Sequence, residues 1–223
     1  AGTSTSDTLT IEDHRLQVTW DGSGDMNWTQ PDATSWSGTT YETNGFAAFA
    51  GAGQGTVTLS GTITPGGVTV GAGAYTFDGK AIGGIGGLTV SGGTLVINNA
   101  ANAYAGDTAV GKGATLQINQ DNRLPYGAGK GDATVDGCLV LNDKNVTLNG
   151  LNGAGSGVIY KIGANSRTLT LGAGDASGVF GGVIRRTAGT LDVTKTGGGT
   201  QTLGGTNSYN GATVVNGGIL ALG

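Results

Sequence analysis

Apolar and polar residues alternate along most of the chain, and glycine or asparagine interrupts the alternation at short intervals. The pattern is clearest in TVTLSGTIT at 56–64, LTVSGGTLVIN at 88–98 and RTLTLG at 167–172. Apolar side chains at every second position, with Thr, Ser, Asn or Gln between them, are typical of strands that bury one face. Apolar residues at helical spacing are always interrupted by glycines. The pattern predicts an all-β chain built from many short strands.

Part of this pattern occurs twice. The segment NAYAGDTAV at 102–110 aligns with NSYNGATVV at 207–215, and the strand-like segments on either side of them also correspond. We interpret residues 88–119 and 191–223 as two copies of one unit. Repeated short strands without helices favour a β-solenoid, in which stacked coils bury a continuous apolar ladder. A β-sandwich stays open as an alternative, although it does not require such self-similarity.

Composition narrows the class of protein further. The chain has 47 glycines among 223 residues, which suits a fold with many tight corners because glycine adopts positive φ without strain. Cys138 is the single cysteine, so an internal disulfide and a cysteine-based zinc site are both excluded. Since no run of apolar residues is long enough to cross a bilayer as a helix, we expect no transmembrane segment. Basic residues are few and dispersed, which argues against nucleic acid as a partner.

The first 50 residues differ from the rest of the chain. They contain all three tryptophans (Trp20, Trp28 and Trp36), the single histidine His14, and seven acidic residues against one basic residue. The first coil of a solenoid would otherwise expose apolar surface and unpaired backbone. We therefore interpret residues 1–50 as an irregular N-terminal cap and residues 51–223 as the solenoid.

The end of the chain, LDVTKTGGGTQTLGGTNSYNGATVVNGGILALG at 191–223, resembles the autotransporter-associated β-strand repeat. Residues 88–119 match less well because they lack the lysine of the motif and have Ser91. The following residues match the motif: Lys195, Gly197, Gly199, Thr200, Leu203, Gly205, Asn207, Tyr209, Gly211, Thr213, Val215, Gly218, Leu220, Leu222 and Gly223.

The resemblance implies a right-handed parallel β-helix in an exported passenger, secreted or held at the bacterial cell surface in association with the outer membrane. It also implies a structural rather than catalytic role, as a stalk, an adhesin passenger or a fibre subunit. An adhesin-type module that binds a glycan or a host protein is the alternative function. The tyrosines are its candidate contacts: Tyr41, Tyr75, Tyr104, Tyr126, Tyr160 and Tyr209.

A polysaccharide-degrading β-helix enzyme is the third function considered. Such an enzyme would need clustered acidic and basic side chains on one strand face, whereas the available charges are scattered. We therefore predict no catalytic residues and no cofactor. The charges considered are Asp132, Asp136, Asp143, Lys144, Arg185 and Arg186.

One segment has the oxygen spacing of a calcium loop. Asp21, Ser23, Asp25, Asn27 and Asp32 occupy positions 1, 3, 5, 7 and 12 of such a loop. The loop departs from the motif because the glycine of position 6 and the glutamate of position 12 are both missing. A turn rich in Gly and Asp is the simpler interpretation, and a calcium ion bound by these oxygens is the alternative.

The last strand-like segment suggests a surface for self-association. Ile219, Leu220 and Leu222 would form an apolar strand edge if no further coil covered them. Another copy of the chain could then stack head-to-tail, with the acidic N-terminal region against the mildly basic remainder. A continuation of the same solenoid in a longer polypeptide is the other interpretation of this edge.

Overall fold

A computed structural model describes residues 16–223 as about eight stacked coils of short parallel strands. The predicted all-β solenoid is confirmed, and the single helical element in the described part of the chain is a 3₁₀ turn at Ala173–Asp175. His14 and the other residues of 1–15 lie outside the described residues. Within residues 16–223, no helix has the length and apolarity needed to cross a membrane.

Two long sheets form the walls of the N-terminal and central coils. Sheet A contains β1 (Gln17–Trp20), β3 (Phe46–Ala50), β5 (Gly67–Ala72), β7 (Leu88–Val90), β9 (Thr108–Val110), β11 (Ala133–Val135) and β14 (Leu151–Asn152). Sheet B contains β2 (Asn27–Trp28), β4 (Gly55–Leu59), β6 (Ala74–Gly79), β8 (Thr94–Ile97), β10 (Thr115–Ile118), β12 (Cys138–Asn142), β15 (Val158–Ile162) and β18 (Val183–Arg186).

Two shorter sheets form the C-terminal coils. Sheet C contains β13 (Val146–Thr147), β16 (Ser166–Leu171), β19 (Thr190–Lys195) and β21 (Thr213–Val215). Sheet D contains β17 (Gly178–Phe180), β20 (Thr200–Leu203) and β22 (Ile219–Leu222). A bridge between Gly153 and Phe180 joins the end of sheet A to the start of sheet D, so sheet D extends the same wall.

Apolar residues of successive coils lie directly over one another in the core. In sheet B, the register places Val57, Phe77, Ile97, Ile118 and Leu141 in one inward-facing column, and none of them is exposed to solvent. Parallel pairing with side chains alternating inward and outward produces such columns wherever the sequence alternates. The alternation seen in the sequence therefore defines the core directly.

Close backbone contact between coils explains part of the glycine content. At Gly92, an added Cβ would lie well inside van der Waals contact with the carbonyl oxygen of Gly71 in the previous coil. A larger residue would have to push the two coils apart. Gly205 and Gly182 show the same close approach near the end of the chain.

The three tryptophans gather at the N-terminal end, as expected for a cap. Trp20, Trp28 and Trp36 are almost completely buried, and the Trp36 ring stacks on Tyr41 at a centroid distance of 4.6 Å. The parallel ladder nevertheless begins within the predicted cap region, because β1 and β3 are the first two strands of sheet A. Strands of the parallel ladder therefore lie on both sides of residue 50, the predicted boundary between the cap and the solenoid.

Candidate functional site: buried clamps and the terminal coil

The segment with the oxygen spacing of a calcium loop folds into separate local turns. The Asp21 carboxylate accepts hydrogen bonds from the Ser23 N–H at 2.8 Å and from the Ser37 hydroxyl at 3.3 Å. Asp25 accepts from the backbone and side-chain amides of Asn27 at 3.0 and 2.6 Å. These hydrogen bonds lower the pKa of both carboxyls.

The buried carboxylate of Asp32, the last residue of the predicted loop, accepts from the Thr34 N–H at 2.9 Å and the Trp36 indole at 3.2 Å. Ser23 donates its hydroxyl to the Thr34 carbonyl instead of facing the carboxylates. In residues 16–223, no three acidic, histidine or cysteine side chains converge as a metal site would require.

Three of the six tyrosines considered for ligand binding lie in the core. Tyr41, Tyr75 and Tyr104 are each exposed by 2% or less. Burial raises the pKa of all three phenols, and hydrogen bonds at Tyr75 and Tyr104 oppose that effect. Tyr160 is half-buried beneath the Arg185 guanidinium, which lies 4.7 Å from the ring centroid.

Tyr126 is the tyrosine most open to solvent, at 45% exposure. It lies in the loop between β10 and β11, where the side chain of Asn149 holds the backbone. Asn149 accepts from the Gly127 N–H at 2.7 Å and donates to the carbonyls of Gly127 and Lys130 at 3.0 and 2.8 Å.

The acidic residues considered for catalysis bind backbone groups of neighbouring coils. Asp132 accepts the N–H of Gly150 at 2.8 Å, and Asp136 accepts the N–H of Ala154 at 2.6 Å. Burial raises the pKa of Asp143, but hydrogen bonds and charges from its neighbours outweigh it and the net shift is downward. Among the three basic residues considered for catalysis, Arg185 is exposed, whereas Lys144 and Arg186 are partly buried.

Cys138 is partly exposed on the outer side of sheet B, in a shallow groove of about 280 Å³. The groove also contacts Lys112, Asp136, Ser156 and Val158. Burial raises the pKa of the Cys138 thiol, and the charge of Arg185 opposes this rise. A raised pKa disfavours the thiolate, which is the nucleophilic form of cysteine.

Two lysines point into the solenoid, and each joins successive coils. The Lys161 ammonium is fully buried and donates to the carbonyls of Gly163 and Asn165 in its own coil and of Ala188 in the next. It also lies 3.4 Å from the carboxylate of Asp143 in the preceding coil. A buried ammonium needs such partners because desolvation without them is costly.

Lys195 repeats this arrangement in the second repeat copy. Its buried ammonium donates to the carbonyls of Thr196 and Gly197 and, at 3.3 Å, to that of Gly217 in the next coil. Burial lowers the pKa of Lys195, and the nearby carboxylate of Asp175 acts in the opposite direction. We call Lys161 and Lys195 with these carbonyls the lysine clamps.

Sequence reasoning identified Lys195 through the repeat motif but missed Lys161. The signal was available, because Lys161 and Gly163 have the same Lys-x-Gly spacing as Lys195 and Gly197. The surrounding residues had diverged too far for the alignment of repeats to include them.

The C-terminal end of the solenoid exposes apolar side chains. We define the terminal face as β21, β22 and residues 205–209. Val215, Ile219 and Leu222 are 51%, 59% and 71% exposed, whereas Leu220 is partly buried against the core. A cavity of about 270 Å³ opens on this face, and Leu203, Gly205, Asn207, Tyr209, Leu222 and Gly223 line it.

The fold and these sites define a repeat-containing β-solenoid whose buried polar groups connect neighbouring coils. A family model described as passenger-associated-transport-repeat matches residues 90–118 and 193–222, inside the two copies predicted from the sequence. The chain therefore carries two segments that match this repeat model, and both lie within the β-solenoid, which is consistent with an autotransporter passenger β-helix. No curated protein and no solved structure matches the chain. The repeat and the fold together support an extracellular, passenger-like structural domain.

Proposed function

We propose that this chain is a non-catalytic structural solenoid that acts as a rigid spacer or stalk in an exported surface protein. The observation that carries the proposal is the continuous parallel ladder from Gln17 to Leu222, whose coils share one apolar core. In a solenoid, each coil contacts only its neighbours along one axis. The number of coils therefore sets the length of the domain, and the contacts between coils make it stiff. A spacer requires that property and no reactive group.

The contacts of the charged side chains support a structural role. Asp132, Asp136 and Asp143 each accept a backbone N–H from the next coil, and the lysine clamps join coils from the inside. A catalytic carboxylate must instead face an open cleft where a substrate can reach it. These acidic residues are better explained as links between coils.

Adhesion is the second candidate, and one feature favours it. The Tyr126 loop is held rigidly by Asn149 and presents an exposed aromatic ring at the side of the solenoid. Rigid aromatic side chains contribute strongly to binding surfaces. A glycan or a protein bound by this chain would therefore contact Tyr126 before any other tyrosine.

Small-angle scattering, combined with binding to a panel of glycans and matrix proteins, tests the two candidates. A spacer gives the profile of one rigid, moderately elongated particle, since about eight coils at roughly 4.8 Å each span about 40 Å, and it shows no saturable binding through Tyr126. Saturable binding that Tyr126→Ser abolishes, without a change in the scattering profile, would establish the adhesin function instead. A flexible particle would contradict both candidates. Tyr126→Phe is the matched control, since it keeps the ring.

A further inference from the structure

The fold gathers basic side chains that are far apart in the sequence. Residues 143–186 contain five of the ten lysines and arginines in residues 16–223, but only two of the twelve acidic residues. Three consecutive coils, those of β12, β15 and β18, bring four of these basic residues to one end of sheet B and to the corner that leads into sheet C. We call these four residues the basic corner: Lys144, Arg167, Arg185 and Arg186.

Two arginines of the basic corner lie side by side at the end of β18. The register places Arg185 beside Tyr160 and Arg186 beside Lys161. The Arg185 guanidinium lies over the Tyr160 ring, 4.7 Å from its centroid, and the residue is exposed to solvent. The Arg186 guanidinium forms no hydrogen bond within residues 16–223, and its Nε is buried. Because buried donors are normally hydrogen-bonded, this guanidinium lacks an acceptor.

The acidic residue in this corner is already neutralised. The Asp143 carboxylate lies 3.4 Å from the Lys161 ammonium and 3.6 Å from the Arg167 Nε. The carboxylates of Asp121 and Asp192, in the coils on either side, accept backbone N–H groups. In the described part of the chain, the other three members of the basic corner form no ion pair. The basic corner therefore has an excess of positive charge that is not paired there.

We propose that the basic corner binds the anionic groups, carboxylate or sulfate, of an acidic polysaccharide. A guanidinium presents a planar fork of N–H donors that matches such groups, and Tyr160 holds the Arg185 fork in one orientation. Neighbouring coils lie about 4.8 Å apart, so three coils span about 10 Å and can contact a short stretch of an extended glycan. The site does not include Tyr126, and it goes beyond the spacer role proposed above.

Two other kinds of polyanion fit the basic corner less well. Single-stranded nucleic acids stack their bases on exposed aromatic rings, whereas Arg185 already covers a face of Tyr160. An anionic membrane presents a broad, flat surface. Because Lys144, Arg167 and Arg186 are partly buried, a thin chain reaches them more easily than a bilayer does. An acidic glycan therefore matches both the charge and the shape of the site.

Binding of the full chain to polygalacturonate and to dextran sulfate tests the proposal, with uncharged dextran as the neutral ligand. Isothermal titration at low and at physiological ionic strength measures the affinities. We expect saturable binding to at least one of the acidic polymers and none to dextran. The affinity should fall as salt screens the charges. The two acidic polymers distinguish carboxylate from sulfate as the group that is recognised.

Arg185→Gln is the most informative variant, because it removes an exposed guanidinium and leaves the core unchanged. It should weaken binding by at least about tenfold, since hydrogen bonds from a charged donor contribute more than neutral ones. The control combines Lys80→Gln with Lys112→Gln, which removes two exposed charges elsewhere on the solenoid. This control should bind like the parent chain although it has lost more charge.

The absence of binding to both acidic polymers, or an equal loss of affinity in the control, would overturn the proposal. Tighter binding to single-stranded DNA or to phosphatidylglycerol vesicles than to either polysaccharide would also overturn it. Loss of polysaccharide binding in Tyr126→Ser would move the site to the Tyr126 loop. None of these outcomes alters the scattering profile, so the spacer role is tested independently.

Discussion

The phenol oxygen of Tyr104 lies 2.7 Å from the hydroxyl oxygen of Thr108, inside the core. Tyr209 and Thr213 repeat this contact at 2.8 Å in the second copy, on the more exposed terminal coil. The tyrosine of the repeat thus fixes the loop that leads into the following strand. Its role in both copies is to position that loop.

Replacement of Tyr104 by phenylalanine should lower the free energy of unfolding by about 1 kcal/mol, because the buried Thr108 hydroxyl loses its partner. Tyr209→Phe should cost less, since water reaches Thr213 on the terminal coil. Urea unfolding of both variants makes the comparison. Equal losses would mean that burial does not distinguish the two copies in solution.

Lys161→Met should destabilise the fold by about 1–3 kcal/mol, because several turn carbonyls of two coils lose their buried donor. Methionine keeps much of the volume, so lost packing contributes little. Lys112→Met is the control, since Lys112 is exposed. If both variants unfold at the same urea concentration as the parent chain, the Lys161 clamp does not contribute to stability.

A methyl group added at Gly92 should destabilise the solenoid, whereas the same change at Gly71 should be tolerated. The Gly92 Cβ would collide with the Gly71 carbonyl oxygen, but a Gly71 Cβ has no neighbour closer than 3.8 Å. We expect a loss of about 1–3 kcal/mol for Gly92→Ala and of less than about 0.5 kcal/mol for Gly71→Ala. Thermal unfolding of the two alanine variants measures this difference, and the reverse order would show that the coils are not stacked in this register.

Stability should fall as the pH rises above about 10, the ordinary pKa of tyrosine. Burial raises the pKa of Tyr41, Tyr75 and Tyr104 in the folded chain, so the unfolded chain binds fewer protons in this range. Lys195 acts oppositely, because its lowered pKa favours folding as the pH approaches the ordinary lysine value. Because three tyrosines lower the free energy of unfolding as the pH rises and one lysine raises it, we expect the net effect to be a loss of stability.

Urea unfolding at a series of alkaline pH values tests this dependence, with Tyr104→Phe as the control. Removing one of the three buried phenols should make the decline in the free energy of unfolding less steep. An increase in stability above pH about 10 would contradict the account, because it would require the lysine to dominate.

Much of the fold could be predicted from the sequence because the solenoid converts alternation directly into burial. Leu95 and Ile97 alternate with Thr94 and Val96 in the sequence, and the structure buries the first pair. The start of the ladder could not be located in this way. The Trp-rich segment that follows β1 lacks the alternation, yet it covers the first coil with Trp36.

The candidate sites were harder to predict because their function depends on contacts between coils. Asp132 and Asp136 lie near each other in the sequence, but each bonds a backbone group 18 residues further along the chain. Spacing within one segment does not reveal such a partner. The Lys-x-Gly spacing could have identified Lys161, but it could not have identified the Ala188 carbonyl of the next coil, which completes the clamp.

Hydrogen exchange on the unmodified chain tests the central claim most directly, that the two repeats are equivalent coils whose burial depends on their position in the stack. We predict strong protection throughout β9 and β10, and much faster exchange in β21 and β22 although their sequences correspond. Equal protection of the two copies, or rapid exchange in β9 and β10, would contradict the claim.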